Sequence, residues 1–150
     1  MVFTEEEENL EKFLRQKTPE WQERYGIRFS DGRIQLITRH TVEGQTDVDV
    51  AVEEFRTIHQ TVVNFADKFS QRNELEISFT EEAIDSLVEK VWKEGLDPSD
   101  YLKRSFQNYE HGLKLIFEKT GRREFSISPE GVENPEQYLN RLIQETYRGE

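Results

Sequence analysis

The chain has no cysteine and only one methionine among its 150 residues. Without thiols it forms no disulfide and offers no thiolate to a metal, which is compatible with a reducing compartment. Long apolar runs are also missing. No stretch approaches the roughly 18 residues of a membrane span, and no apolar segment typical of a signal peptide follows the N-terminus. These absences predict a soluble, cytoplasmic protein without a metal site.

Positive charge is scarce, because 20 lysines and arginines face 31 aspartates and glutamates and the formal net charge is −11. Phosphate backbones and anionic lipids repel such a chain, so the composition argues against nucleic acid and membranes as partners. The compact basic cluster consists of Lys119, Arg122 and Arg123. It lies where a helix is predicted to end. It is therefore either a helix-end cluster of the usual kind or a contact for a phosphate or an acidic partner.

Motifs of nucleotide chemistry and metal catalysis are absent from the sequence. The chain contains no G-x-x-x-x-G-K-[ST] loop, no G-x-G-x-x-G fingerprint and no H-E-x-x-H pair. His40, His59 and His111 have no carboxylate at a spacing that suits a metal site or a catalytic dyad. Because no acid, base and nucleophile can be combined, we expect a protein that is not an enzyme and needs no cofactor.

Helical periodicity dominates the sequence. The longest periodic segment has apolar residues every three or four positions, in a stripe wide enough for a helix docked on a core. Proline after Thr18 is expected to end the first helix, because the residue before proline disfavours the α region. The predicted helices cover about 5–16, 48–72, 81–94, 98–119 and 135 onward.

Two short stretches, 75–79 and 124–128, alternate apolar and polar residues as half-buried strands do. The first runs directly into a helix that Thr80 is placed to cap and Gly95 is placed to end. Strands this short cannot form a domain alone, so we expect a small two-stranded ribbon beside a helical bundle.

The N-terminal third carries a turn signal, because Asp31 and Gly32 favour a two-residue turn between apolar stretches. We therefore predict a β-hairpin over 27–38, followed by a polar linker at 40–47. The predicted organisation is a helix plus β-hairpin segment, 1–45, and a helical domain, 46–150. The fold class is α+β and mostly helical, with the order α-β-α-α-β-α in the larger part.

Some side chains on these helices are candidates for contact with a protein partner. His59 lies on the apolar stripe of the long helix, where it is a core-edge histidine or a pH-sensitive contact, since imidazole titrates near neutrality. Trp92 is of the residue type that anchors interfaces when it is partly exposed. The acidic run Glu5–Glu8 either caps a helix and faces solvent, the commoner role, or serves as a recognition tail for a basic partner.

The run ADKFSQRNELEISFTEEAIDSLVEKVWKEGLDPSDYLKRSFQ (66–107) resembles the C-terminal small domain, or lid, of AAA+ ATPases of the Clp unfoldase type. In that family a strand of the form L-x-[LF]-T-[DE]-E-A leads into a helix, a Gly-containing turn and another helix. Here ISFTEEAIDSL (77–87) matches the strand and cap, and SISPEGV (126–132) is similar to the family's next strand. The resemblance covers roughly 50–132. It implies a domain that packs against its own P-loop domain and a neighbouring subunit, and that moves with the nucleotide state.

The resemblance also implies nucleotide contacts, and here the chain departs from the family. A G-A-R motif at the start of the third helix would carry a phosphate-sensing arginine, but Pro98, Ser99 and Asp100 occupy those positions. Lys103 and Arg104 follow one turn later and would replace that arginine only by a shift in register.

A second segment, PEWQER (19–24), resembles the family's P-E-[FL]-x-x-R, whose arginine reaches a neighbour's nucleotide. That resemblance implies Arg24 as a trans-acting finger.

These observations predict a non-catalytic lid-type domain of an AAA+ ATPase, which serves subunit contact and coupling to the nucleotide state. Nucleotide is expected only where the chain is joined to a P-loop domain. The alternative is a free-standing helical adaptor that binds another protein and has no link to ATP. Both hypotheses predict a protein partner or self-association.

Overall fold

The structure, a computed structural model, describes residues 4–148. Helices form most of this part of the chain, with two short strands between them, so the predicted α+β, mostly helical class is confirmed. In chain order the elements are α1 (Glu5–Tyr25), α2 (Asp31–Glu43), α3 (Val48–Asn73), β1 (Glu76–Phe79), α4 (Glu81–Glu94), α5 (Pro98–Ser105), α6 (Tyr109–Thr120), β2 (Glu124–Ile127), α7 (Pro129–Glu133) and α8 (Pro135–Arg148).

The described residues form two compact units, one that ends at Ile58 and one that begins at His59. The division falls within α3, whose predicted extent is confirmed to within one residue. A compact unit differs from an independently folding domain, so the predicted domain division at 45/46 stays a prediction.

In the first unit, the prediction that the first helix ends before Pro19 is wrong. Helix α1 continues through Pro19 to Tyr25 and ends at Gly26, which adopts the left-handed conformation with φ 67°. Proline inside a helix costs about 3 kcal/mol. Leu14 and Trp21 lie seven residues apart on one helical face, and both are buried. The packing of this face outweighs the local penalty.

The predicted β-hairpin over 27–38 is also wrong, because α2 begins in the middle of that range. Ser30 is the N-cap, and its hydroxyl accepts a hydrogen bond from the amide of Arg33 (3.4 Å). Ile34 and Ile37 follow at helical spacing and are buried. A Ser–Asp pair before apolar residues is a helix-start signal as well as a turn signal, and packing selects the helix. The predicted linker shortens accordingly, since α2 extends to Glu43.

The core of the first unit contains a row of aromatic rings. The ring of Phe29 lies 5.6 Å from Trp21 and 5.9 Å from Phe55, measured between centroids. Arg33 is buried against this row, with its guanidinium 5.3 Å from the Phe55 ring and its Nη1 donating to the carbonyl of Arg28 (2.8 Å). The buried arginine is tolerated because its guanidinium donates a hydrogen bond to a backbone carbonyl and also lies over an aromatic ring.

In the second unit, both predicted strands are confirmed and they pair with each other. The pairing is parallel, with Glu76 opposite Glu124 and Phe79 opposite Ile127. Ile77 and Phe125 are buried on one side of this ribbon, while the alternating residues are exposed. Parallel strands cannot be joined by a tight hairpin. The chain therefore crosses from β1 to β2 through the helices α4, α5 and α6.

The junction of β1 with α4 forms as the sequence predicts. The hydroxyl of Thr80 accepts a hydrogen bond from the amide of Ala83 (3.0 Å), which caps α4. Gly95 ends the helix in the left-handed conformation, with φ 67°. The same end signal appears at Gly121, which closes α6 with φ 79°.

The single helix predicted over 98–119 is wrong, because α5 and α6 are separate helices. The break falls at Phe106, whose ring joins Phe65, Phe79 and Tyr109 in an aromatic cluster with centroid distances of 4.3 to 5.8 Å. The polar residues Gln107 and Asn108, which follow Phe106, favour the break. Phe106 and Tyr109 are buried in the core of the second unit, and Phe65 and Phe79 are half-buried beside them.

Helix α7 is absent from the sequence prediction, since five residues are too few to show periodicity. Pro129 fills its first position, and Gly131 lies in close contact with Ile127 and Tyr138. Helix α8 begins at Pro135, as the sequence predicts. The hydroxyl of Tyr138 donates to the carbonyl of Ser126 (3.1 Å), so α8 also contacts β2.

Candidate functional site

The start of α5, where the resemblance places a phosphate-sensing arginine, carries carboxylates in the structure. Asp97 is the N-cap, and its Oδ1 accepts a hydrogen bond from the amide of Asp100 (3.0 Å). Pro98 occupies the first helical position, and both aspartates are exposed. Two negative charges at this helix end oppose the attraction that the helix dipole has for a phosphate. The α5 N-terminus therefore lacks the electrostatics of a nucleotide sensor.

Lys103 and Arg104 lie in the last turn of α5 and are exposed. Cations are favourable at a helix C-terminus, which accounts for both residues without a ligand. Arg24 has the same relation to α1: it lies in that helix's last turn, and its guanidinium is 5.3 Å from the Tyr25 ring. Arg24 belongs to the first unit, whereas Lys103 and Arg104 belong to the second.

A cleft of about 670 Å³ opens beside Arg104, between the end of α5 and the start of α8. Tyr109 lines this cleft, and its hydroxyl donates a hydrogen bond to the carbonyl of Pro135 (2.5 Å). Burial raises the pKa of Tyr109 well above its usual range, so this hydroxyl keeps its proton. The lining combines Arg104 with the carboxylates of Glu133 and Glu136. This balance of charges does not favour a phosphate.

The predicted basic cluster lies together on the surface of the second unit. Lys119 lies at the end of α6, and Arg122 and Arg123 connect α6 to β2. All three are exposed. The Nε of Arg122 donates to the carbonyl of Glu124 (3.0 Å), which holds the guanidinium close to its own backbone.

Each cation of the cluster lies against an aromatic ring contributed by a different element. The distances from charge to ring centroid are 4.7 Å for Lys119 and Tyr147, 4.6 Å for Arg122 and Phe125, and 4.9 Å for Arg123 and Phe117. We call these six residues the basic–aromatic patch. Cation–π contact restricts long side chains while leaving their charge available, which lowers the entropy cost of binding an anionic group.

Tyr147, like the other two aromatic members of the patch, is not predicted as part of a surface by the sequence. Its helical spacing predicts a buried position on α8, but the structure leaves 46 % of the residue exposed. It lies one residue before the end of the described chain, in the last turn of α8, beyond the buried Tyr138 and Leu139. Periodicity identifies a helix face correctly but cannot show where the core beneath that face ends.

His59 and Trp92, the other interaction candidates, are both half-buried. His59 lies in α3, in a position that agrees with a core-edge histidine. Trp92 lies in α4 and keeps part of its surface in solvent. Neither joins the basic–aromatic patch, and their roles in partner contact stay predictions.

His40 is the histidine with a defined electrostatic setting. Its Nε2 lies 4.0 Å from a carboxylate oxygen of Glu54. Partial burial lowers the pKa of His40, while Glu54 and Glu43 oppose the shift. Between residues 4 and 148 no group of three or more histidine, aspartate or glutamate side chains is arranged to hold a metal ion. In the same range no helix has the length and apolar character needed to cross a membrane.

Comparisons with known proteins complete the description of the site. No family model matches the chain, and no curated protein or solved structure is significantly similar to it. The relation to the AAA+ lid domain therefore stays a resemblance of sequence motifs.

Proposed function

We propose that residues 46–150 form a non-catalytic lid-type domain of the AAA+ kind, whose work is contact with protein subunits. The observation that supports this proposal best is the parallel, in-register pairing of β1 with β2. The lid resemblance requires its two strands to lie side by side, although 44 residues separate Phe79 from Glu124. Strands lying apart would have opposed the proposal.

The proposed role is mechanical, without a phosphate contact of its own. Asp100 stands where a lid of this kind would carry its sensing arginine, Asp97 caps the same helix, and the cleft beside Arg104 is lined by two carboxylates. Coupling to a nucleotide state would therefore be indirect, through a P-loop domain of the same protein or of a partner. We further propose that this cytoplasmic domain needs no cofactor.

The second candidate function is a helical adaptor that binds another protein and has no link to ATP. The carboxylates at the start of α5 favour it, because they remove the feature that would connect a lid domain to nucleotide. The adaptor binds a different protein as its main partner, whereas the lid-type domain also makes contacts between like subunits.

Two measurements on the full chain test these functions. Isothermal titration with Mg²⁺–ATP should give no binding heat under either function, and micromolar binding would overturn both. Sedimentation velocity over a range of protein concentrations separates them. Concentration-dependent self-association supports the lid-type domain, while a constant monomer overturns it and leaves the adaptor.

A further inference from the structure

The first turns of α1 form an acidic arm, residues 5–13, in which Glu7, Leu10 and Glu11 are half-buried and the other residues are exposed. Helix α1 has no buried residue before Leu14. At 1.5 Å per residue, the arm is about 13 Å long. Short helices gain most of their stability from packing of one face, so an arm without buried residues is a segment suited to docking.

Its charge exceeds what helix capping requires. Thr4 already caps α1, since its hydroxyl accepts a hydrogen bond from the amide of Glu7 (3.2 Å). Four consecutive glutamates, Glu5–Glu8, then lie in the first turn, where the helix dipole favours them but Glu5 and Glu8, three residues apart, repel each other. Within residues 4–148, no lysine or arginine lies within ion-pair distance of Glu5, Glu6 or Glu8.

The arm also carries an apolar group. Phe13 is 38 % exposed and lies on the same helical face as Glu6, seven residues earlier. The Nζ of Lys17 lies 5.9 Å from the centroid of the Phe13 ring. One face of the arm therefore combines carboxylates with an exposed aromatic ring.

The basic–aromatic patch has the complementary composition. In the described part of the chain, no carboxylate forms an ion pair with the guanidinium of Arg122 or Arg123. Tyr147 adds an exposed ring beside Lys119. The patch thus presents fixed positive charge next to aromatic surface, on a chain whose net charge is −11.

We propose that the acidic arm of one copy docks on the basic–aromatic patch of a second copy. The carboxylates of Glu5–Glu8 meet the cations of the patch, and Phe13 meets the exposed ring of Tyr147. A second copy is the occupant that charge complementarity favours, because every chain supplies one arm and one patch. The proposal rests on the proposed function, since it assigns the subunit contact to named residues.

The contact joins two different surfaces, so it is either reciprocated between two copies in a two-fold dimer or repeated from one copy to the next. Where the contact is not reciprocated, each bound copy leaves its own patch or its own arm to the next copy. Such contacts close into a ring or continue as an open chain. Because the arm and the patch carry opposite charges, an exchange of charge between two variants is informative in either arrangement.

The test uses two charge-reversed variants of the full chain. The patch variant carries Arg122→Glu and Arg123→Glu, and the arm variant carries Glu5→Lys and Glu8→Lys. Sedimentation velocity should show that each variant alone associates at least about tenfold more weakly than the unmodified chain. An equimolar mixture should regain association, because the acidic arm of the patch variant fits the basic patch of the arm variant.

The matched control, Lys103→Glu with Arg104→Glu, makes the same change in net charge on an exposed surface of α5 and should leave association unchanged. A second variant, Arg122→Gln with Arg123→Gln, removes the two charges without introducing carboxylates as the patch variant does. Circular dichroism verifies that all variants fold. Salt gives an independent readout. Association should weaken between about 0.1 M and about 1 M NaCl, over which the Debye length falls from about 10 Å to about 3 Å.

The outcomes separate this inference from the proposed function. Normal self-association of the patch variant, or a mixture that fails to associate, overturns the arm–patch contact and leaves the lid-type domain standing. A monomeric unmodified chain overturns both. Binding of Mg²⁺–ATP overturns the proposed function alone, and the exchange of charges in the mixture still decides the contact.

Discussion

Replacement of Gly131 by alanine probes the packing that holds β2, α7 and α8 together. A Cβ atom at this position would lie 2.5 Å from Cγ2 of Ile127 and 3.0 Å from Cδ1 of Tyr138. Neither neighbour moves easily. The Cγ2 methyl belongs to a β-branched side chain with few rotamers, and the Tyr138 hydroxyl is bonded to Ser126.

The expected magnitude is the difference between two opposing effects. Alanine favours a helix over glycine by about 1 kcal/mol, which stabilises the variant. Overpacking of a close-packed core costs about 1–3 kcal/mol, and two rigid contacts place Gly131→Ala at the upper end of that range. We expect a net loss of about 1–2 kcal/mol in the free energy of unfolding. For a unit of this size that loss lowers Tm by about 5–15 °C.

Thermal unfolding followed by circular dichroism measures this shift, and two other glycines serve as controls. Gly32→Ala meets no atom within 4 Å, so it should leave Tm unchanged or raise it. Gly112→Ala meets the flexible end of Leu139 at 2.8 Å, so it should have an intermediate effect. A Gly131→Ala variant as stable as Gly32→Ala would refute the packing described for α7.

Three further predictions concern capping, protonation and a buried hydrogen bond. Thr80→Ala removes the cap of α4 and should cost about 1 kcal/mol in urea unfolding, and an unchanged midpoint would argue against the cap. Because burial lowers the pKa of His40, the fold favours its neutral form, so the stability it contributes is present above pH 6.5 and is lost as pH falls below that value. His40→Gln should reduce this pH dependence, and an unchanged dependence of the free energy of unfolding on pH would contradict the assignment. Tyr109→Phe leaves the carbonyl of Pro135 without its donor and should cost about 1–2 kcal/mol, and full stability in urea would show that this bond contributes nothing.

Local signals predicted the β1–α4 junction because every determinant lies within one short stretch. Thr80 caps the helix, Gly95 ends it, and the apolar spacing between them reports one buried face. The long helix α3 was predictable for the same reason. Its apolar stripe continues over seven turns, and a pattern of that length has few alternative structures.

The errors in the first unit arose where local signals are ambiguous or where distant packing decides. Asp31 and Gly32 suit a hairpin turn, but Ser30 and Asp31 equally suit the start of a helix. Pro19 is a strong local signal against a continuous helix, yet the buried Trp21 beyond it decides otherwise. Neither choice can be made without knowing what lies opposite the segment.

The candidate surface was predictable only in part. Lys119, Arg122 and Arg123 are close together in the sequence, so the sequence alone identified the cluster. Their aromatic partners come from α6, β2 and α8, and the contact with Tyr147 joins residues 28 positions apart. Contacts of this kind depend on tertiary structure, which single-sequence patterns do not report.

The most direct test of this account is sedimentation velocity on an equimolar mixture of the patch variant and the arm variant. We predict that each variant alone remains largely monomeric and that the mixture associates, in the presence or absence of Mg²⁺–ATP. A mixture that remains monomeric at concentrations where the unmodified chain associates would contradict the subunit contact proposed here.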